Sequence, residues 1–120
     1  MISVCMGIYN GEKYIAQQLQ SIMNQTRKAD EVILCDDRST DNTVKIAEKF
    51  IEENELADTW KIHQNIQNKG YPYNFYYVMG LCKGDIVFLA DQDDVWDVHK
   101  IEKMSHIMET HEEIQLLASS

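Results

Sequence analysis

The chain has 120 residues, of which 44% are hydrophobic and 26% charged, with a formal net charge of −9. This length suits one domain with a real core, and the composition excludes intrinsic disorder. No basic stripe is present, which excludes nucleic acid as a partner, but a phosphate ligand is compatible with the acidity because a bound divalent cation inverts the local field.

The first predicted element is a strand, "ISVCMGI" (2–8), apolar at nearly every position and so suited to burial on both faces of a sheet. Ile15, Leu19 and Ile22 then follow a helical i, i+4, i+7 stripe. "EVILCD" (31–36) is a second buried strand. Val44, Ala47, Phe50 and Ile51 mark a second helix, for which Ser39 or Thr40 is the expected N-cap. "WKIHQ" (60–64) is a weaker strand, Tyr73 to Leu81 a third helix, and "DIVFLA" (85–90) a strong strand. A fourth helix is expected from His99 to Met108, and "EIQLLAS" (113–119) reads as a final strand.

Strands alternating with helices predict an α/β fold in three layers, a mostly parallel sheet with right-handed crossovers and helices on both faces. No repeat, low-complexity segment or linker interrupts it, so residues 1–120 are expected to form a single domain. In such sheets ligands bind beyond the carboxyl ends of the strands. Tyr9, Asn10 and Gly11 follow the first strand, Asp36 and Asp37 end the second, and Asp91 and Asp93 end the fourth.

Cys5, Cys35 and Cys82 are an odd set without a CxxC pair and read as reduced thiols, two of them inside strands. No apolar run reaches membrane-spanning length and no signal peptide precedes the first strand. The expected location is the cytoplasm, with contact at the inner membrane face left to regions outside these residues.

"FLADQDDVW" (88–96) sets a greasy strand against Asp91, Asp93, Asp94 and Asp97. Two such charges about 5 Å apart repel by roughly 3 kcal/mol at an effective dielectric of about 20. Solvent, a basic group or a cation must neutralise them. Hard ions such as Mg²⁺ or Mn²⁺ suit carboxylates and share phosphate oxygens with a ligand; the structural alternative is an acidic turn capping the next helix. A calcium EF-hand loop is excluded, since Trp96 stands where its sharp turn needs glycine.

"LCDDRSTDNT" (34–43) sets paired aspartates at a strand end, where a carboxylate can accept from a nucleobase N–H or a ribose hydroxyl or simply form a turn. In "GIYNGEKYI" (7–15), Gly7 permits close approach of a flat ring, while Asn10 could equally cap the helix. Tyr71, Tyr73, Phe75, Tyr76 and Tyr77 could stack on a base, although packing is the commoner use of such a run. His63, His99, His106 and His111 form no zinc motif.

In their order, "YNGEKYI", "VILCDDRSTDNT", "NKGYPYNF" and "KGDIVFLADQDDVWDVHKIEKM" resemble the N-terminal half of glycosyltransferase family 2, from Ile2 to about Met104. The "DQDDVW" version is similar to rhamnosyltransferase-like members that build bacterial surface polysaccharides. The resemblance implies a nucleotide-diphospho-sugar transferase fold of the GT-A type, incomplete at the C-terminus. It implies inverting transfer of a sugar from a nucleotide-diphospho-sugar donor to a hydroxyl of a saccharide or lipid-linked saccharide acceptor.

By the same resemblance, Asp37 holds the nucleobase with Asp36 beside it, while Gly7, Tyr9 and Asn10 line the base and ribose. Asp91 and Asp93 form the DxD pair, Asp93 being the more direct ligand of Mn²⁺ or Mg²⁺ and Asp91 also facing the nucleotide. Arg38 and Val98 depart from the common pattern, which has glycine and proline there. The catalytic base is expected beyond Ser120, so these residues are expected to bind the donor without transferring it. A non-catalytic nucleotide-binding module and a receiver-type signalling domain are the competing readings. The second would need its acidic pair after the first strand, where "YNG" stands.

Overall fold

The computed structural model describes residues 1–91, 95–110 and 116–118. The described residues hold five parallel strands: β1 (Ile2–Ile8), β2 (Glu31–Asp36), β3 (Trp60–Gln64), β4 (Ile86–Asp91) and β5 (Leu116–Ala118). They form one sheet in the order β3-β2-β1-β4-β5. Helices α1 (Ile15–Met23), α2 (Thr43–Glu53), α3 (Tyr73–Leu81) and α4 (Lys100–Thr110) connect or flank them.

The two-residue period of β1 divides the core. Ile2, Val4, Met6 and Ile8 face one layer, where they meet Leu19 and Ile22 of α1, Ala47 of α2 and Ile101 of α4. Cys5 faces the other layer with Ile33 and Cys35 of β2 and Val78 of α3. The sheet is thus covered on both sides, as the unbroken apolar runs require. Leu19 is fully buried in the larger layer.

The expected strands β1, β2 and β3 and helix α3 have the predicted bounds, whereas β4 is shifted by one residue, starting at Ile86 and ending at Asp91. Its backbone pairs there with Gly7, and a charged side chain at a strand end does not interrupt the ladder. The expected N-cap of α2 is wrong: the helix starts at Thr43, whose backbone N–H and hydroxyl both bond Asp41 Oδ1. Ser39 and Thr40 instead bond Asp36 and Asn10.

All three cysteines are free. Burial pushes the Cys35 thiol up to about 12, which keeps it protonated at neutral pH. No helix among the described residues is long and apolar enough to cross a membrane.

Truncating Leu19 removes a side chain that locks α1 to the sheet. Leu19→Ala is expected to cost about 2–5 kcal/mol, because a fully buried leucine leaves a cavity that its neighbours fill only in part. Urea unfolding followed by circular dichroism measures that loss.

Candidate functional site

Chain order reverses beside β1, which has β2 on one side and β4 on the other. A crevice opens at such a point beyond the carboxyl ends of the strands. It contains a cavity of about 430 Å³, whose lining includes Gly7, Tyr9, Asp37, Gly70, Tyr71 and Asp91. Gly7 is in register with Cys35 of β2 on one side and Asp91 of β4 on the other. Asp37 lies two residues past Cys35. The two acidic strand ends therefore flank the first strand.

Asp37 is 4% exposed. Its Oδ1 accepts from Asn65 Nδ2 at 2.9 Å and from the Lys69 backbone N–H at 2.6 Å. Its Oδ2 accepts from the Gly70 N–H at 2.8 Å. Gly70 has a φ of 74°, a backbone region open to glycine, and this turns its N–H toward the carboxylate. Burial opposes the charge on Asp37, but the donors from Lys69, Asn65 and Gly70 outweigh it and hold the carboxyl below its ordinary range. The side-chain amide of Asn68 closes the same loop by donating to the Asp37 carbonyl at 2.9 Å.

Asn65 carries the order further. Its second N–H donates to Asn74 Oδ1 at 2.8 Å, and Asn74 Nδ2 donates to the Cys35 carbonyl at 3.0 Å. The Asn74 amide lies over Gly7, where an added Cβ would come within 2.8 Å of Asn74 Nδ2. The missing side chain at Gly7 thus admits α3 close to the sheet, while Gly7 itself still borders the cavity.

Of the residues singled out from the sequence, Gly7, Tyr9, Asp37 and Asp91 meet at this one cavity. Asn10 and Asp36 are placed elsewhere. Asn10 Oδ1 accepts from the Thr40 N–H at 2.8 Å, and the Asn10 N–H donates to Ser39 Oγ at 2.9 Å. Asp36 accepts from the N–H and hydroxyl of Ser39 and borders a separate polar cleft with Lys45 and Gln64. Asp93 lies outside the described residues, as does Asp94.

Among the described residues no three His, Cys, Asp or Glu side chains converge as a ready-made metal cage. An ion shared with a ligand's phosphates needs only one or two carboxylates, and Asp91 supplies a hard oxygen donor at the cavity.

Asn65, Asn68 and Asn74 escaped the sequence reading as site residues. The available signal was Asn74 itself, one amide inside the aromatic run "YPYNFYY". Most of that run is not core: Tyr71, Tyr73 and Tyr76 are 80%, 67% and 61% exposed, while Tyr77 packs half-buried against the smaller core layer and α3 meets the sheet chiefly through Asn74 and Val78. Tyr71 and Phe75 pack edge to face with ring centres 5.2 Å apart, and both border the cavity.

The family model "Glycosyl transferase family 2" matches residues 3–119. A Bacillus subtilis protein named as a glycosyltransferase, EpsE, is 35% identical over 118 residues, which are 98% of this chain and 42% of that protein. The Shigella flexneri dTDP-rhamnosyl transferase RfbG is 36% identical over 102 residues, 81% of this chain and 34% of that protein. Among solved structures, Staphylococcus aureus TarS in complex with UDP superposes with a TM-score of 0.80 at 30% identity, covering 92% of this chain and 32% of that one. The Pyrobaculum calidifontis mannosyltransferase PcManGT, solved with GDP-Man and Mn²⁺, has a TM-score of 0.72 at 24% identity, covering 79% of this chain and 28% of that one, and shares the fold. The GT-A-type architecture expected from the sequence is therefore present. The chain spans less than half the length of the relatives named here.

The depressed Asp37 carboxyl has a consequence for acid stability. A group whose folded value lies below its unfolded value, here 3.8, contributes its full stabilisation above about pH 5. That contribution fades as pH falls through 3.8 toward the lower folded value. Asp37→Asn should therefore destabilise the domain at neutral pH and flatten the acid limb of a plot of urea midpoint against pH. Parallel acid limbs for the two proteins would show that Asp37 carries no such linkage.

Proposed function

The chain belongs to glycosyl transferase family 2, and from that premise we propose that residues 1–120 form the donor-binding part of an enzyme building cell-surface polysaccharide. The reaction is transfer of a sugar from a nucleotide-diphospho-sugar to an acceptor hydroxyl with inversion at the anomeric carbon. The observation that carries this reading is the meeting of Gly7, Tyr9, Asp37 and Asp91 at one cavity where the strand order reverses.

Spacing supports the assignment of the two ends. Neighbouring strands lie about 4.8 Å apart, so β2 and β4, on either side of β1, are separated by roughly 10 Å. That is the scale of a nucleoside diphosphate laid across β1, with its base at Asp37 and its diphosphate toward Asp91. Tyr9 and Tyr71 border the space between and offer ring faces to base or ribose.

On the diphosphate side, Asp91 and Asp93 are the residues that would hold Mn²⁺ or Mg²⁺. When bound there, the ion would supply Lewis acidity to offset the charge that develops on the departing diphosphate. This chain's own contribution is to fix the nucleoside and exclude water from its base-binding end. We assign no catalytic base within residues 1–120. The transfer needs one, since the acceptor hydroxyl must lose its proton as it attacks.

Two named relatives guide the acceptor and donor. The Escherichia coli relative WfaP, 31% identical, is named as a UDP-Glc:alpha-D-GlcNAc-diphosphoundecaprenol glucosyltransferase. TarS was solved with UDP-GlcNAc. For this chain we take a saccharide or lipid-linked saccharide as acceptor and the cytoplasm as its location, at the inner face of the membrane.

Calorimetry with UDP tests the site. Binding should be tighter with Mn²⁺ or Mg²⁺ than with a chelator, and Asp93→Asn or Asp91→Asn should remove the metal-dependent part. Asp37→Asn should weaken uridine binding with or without metal, by about tenfold for one lost charge-assisted hydrogen bond. Equal UDP affinity in wild type and Asp37→Asn would sink the assignment of the base to Asp37.

A further inference from the structure

We propose that Gln18, Ser21 and Gln25 are positioning residues for the metal end of the site, holding Asp91 at the cavity before any ion arrives; the proposal rests on the donor-binding reading of the same cavity. Helix α1 carries two buried stripes. Ile15, Leu19 and Ile22 face the sheet. Gln18 and Ser21, with Gln25 just past the helix end, lie about 100° round the axis and are 0%, 8% and 0% exposed. Burying polar groups so deeply is costly unless each is hydrogen-bonded.

Their partners are backbone groups of residues 91–101. Gln18 Nε2 donates to the Asp91 carbonyl at 2.7 Å. The Ser21 hydroxyl shares its proton between Gln18 Oε1 at 2.9 Å and the Gln18 carbonyl at 2.8 Å, and accepts from the Trp96 N–H at 3.0 Å. Gln25 Nε2 donates to the Asp97 carbonyl at 2.7 Å, and Gln25 Oε1 accepts from the Ile101 N–H at 2.9 Å. The Gln18 amide cannot turn over, because its oxygen would then face the Asp91 carbonyl. One side of one helix thus grips both ends of the acidic segment, Asp91 where β4 ends and Asp97 before α4.

Asp91, Asp93, Asp94 and Asp97 repel one another, and a backbone left unheld would relax by moving them apart. A cation would then have to gather its ligands again at a cost in affinity, which anchoring beforehand avoids. The Gln18 bond acts on the residue that borders the cavity: fixing the Asp91 carbonyl, together with the pairing of Asp91 to Gly7, fixes where its side chain leaves the backbone. Asp37 takes no part in this ladder, since its partners Asn65, Lys69 and Gly70 all follow β3. Separate networks therefore set the two ends of the cavity, and a change in the polar stripe of α1 should reach the metal end alone.

The test is calorimetry of UDP binding to this chain in Mg²⁺ and in chelator, with uridine alongside, for wild type and Gln18→Met. Methionine keeps the length and packing of the side chain and removes the donor to Asp91. The ratio of UDP dissociation constants, chelator over Mg²⁺, should fall by about fivefold, one hydrogen bond's worth of lost positioning, while uridine affinity stays as in wild type. A merely structural role would lower the urea midpoint and leave that ratio unchanged in the folded protein. An unchanged ratio, or a fall in uridine affinity as large as that in UDP affinity, overturns the proposal and leaves the donor-site reading standing. If UDP binding by wild type gains nothing from Mg²⁺, the assignment of the metal to Asp91 fails and the proposal with it. Should Gln18→Met fail to fold, Ser21→Ala decides on the same ratio, since it releases the Trp96 N–H and keeps the helix; no change there refutes the positioning role.

Discussion

A buried carboxylate organises one end of the cavity in this domain. Removing an ion from water costs several kcal/mol unless protein groups replace the lost solvent. Asp37 recovers that cost from three N–H donors, two of them backbone groups of the loop after β3. The loop must therefore turn back toward β2, which Gly70 permits through its positive φ. Once it does, Tyr71 and Asn68 stand at the cavity and Asn65 is placed to grip Asn74. The wall of the site follows from satisfying one charge.

The loops beside the cavity owe their order to a different cause. The loops after β1 and β2 are laced together: Gly11 donates to Thr43 Oγ1 at 2.8 Å, Asn42 to Glu12 Oε2 at 3.1 Å, and Asn10 and Thr40 bond through the Asn10 amide. Asn10 and Glu12 of "YNGE" thus find partners in "STDNT", and these contacts are explained by backbone satisfaction without a ligand. Rigid loops of this kind cut the entropy that a flexible site would lose on binding.

These two cases show what was legible in the residues and what was not. The strands could be read because burial on both faces forces unbroken apolar runs, and α1 because its stripe at Ile15, Leu19 and Ile22 faces a single layer. The convergence of three strand ends could be read because the parallel topology dictates it. The caps could not: Ser39, Thr40, Asp41 and Asn42 all have capping chemistry, and the choice of Asp41 as acceptor for Thr43 depends on where Asn10 and Glu12 sit in space. Asn65 was equally hidden, because an amide after a strand is ordinary until its partners, Asp37 and Asn74, are known to be 28 residues before it and 9 after. The tyrosines misled for a related reason. Helix α3 fully buries only Asn74 and Val78, with Tyr77 half-buried against the core and Tyr73 and Tyr76 exposed, so aromatic content alone gave no guide to burial.

The two acidic strand ends look alike in sequence and differ in what surrounds them. At Asp37 the protein supplies N–H groups, so the negative charge is spent inside the fold and does not oppose a nucleotide nearby. At the other end, Asp91, Asp93, Asp94 and Asp97 fall within seven residues of a chain whose net charge is already −9. A diphosphate brought against such a cluster adds negative charge to negative charge, and each unit pair about 5 Å apart costs roughly 3 kcal/mol at an effective dielectric of about 20. A divalent cation between them adds an attraction to each anion that outweighs their mutual repulsion. On the donor-binding reading proposed above, one end would read a neutral base edge with protein groups alone, while the other would take phosphate together with a metal. That division makes Asp37 and the 91–97 segment separable by experiment, since removing the metal should affect one end and leave the other.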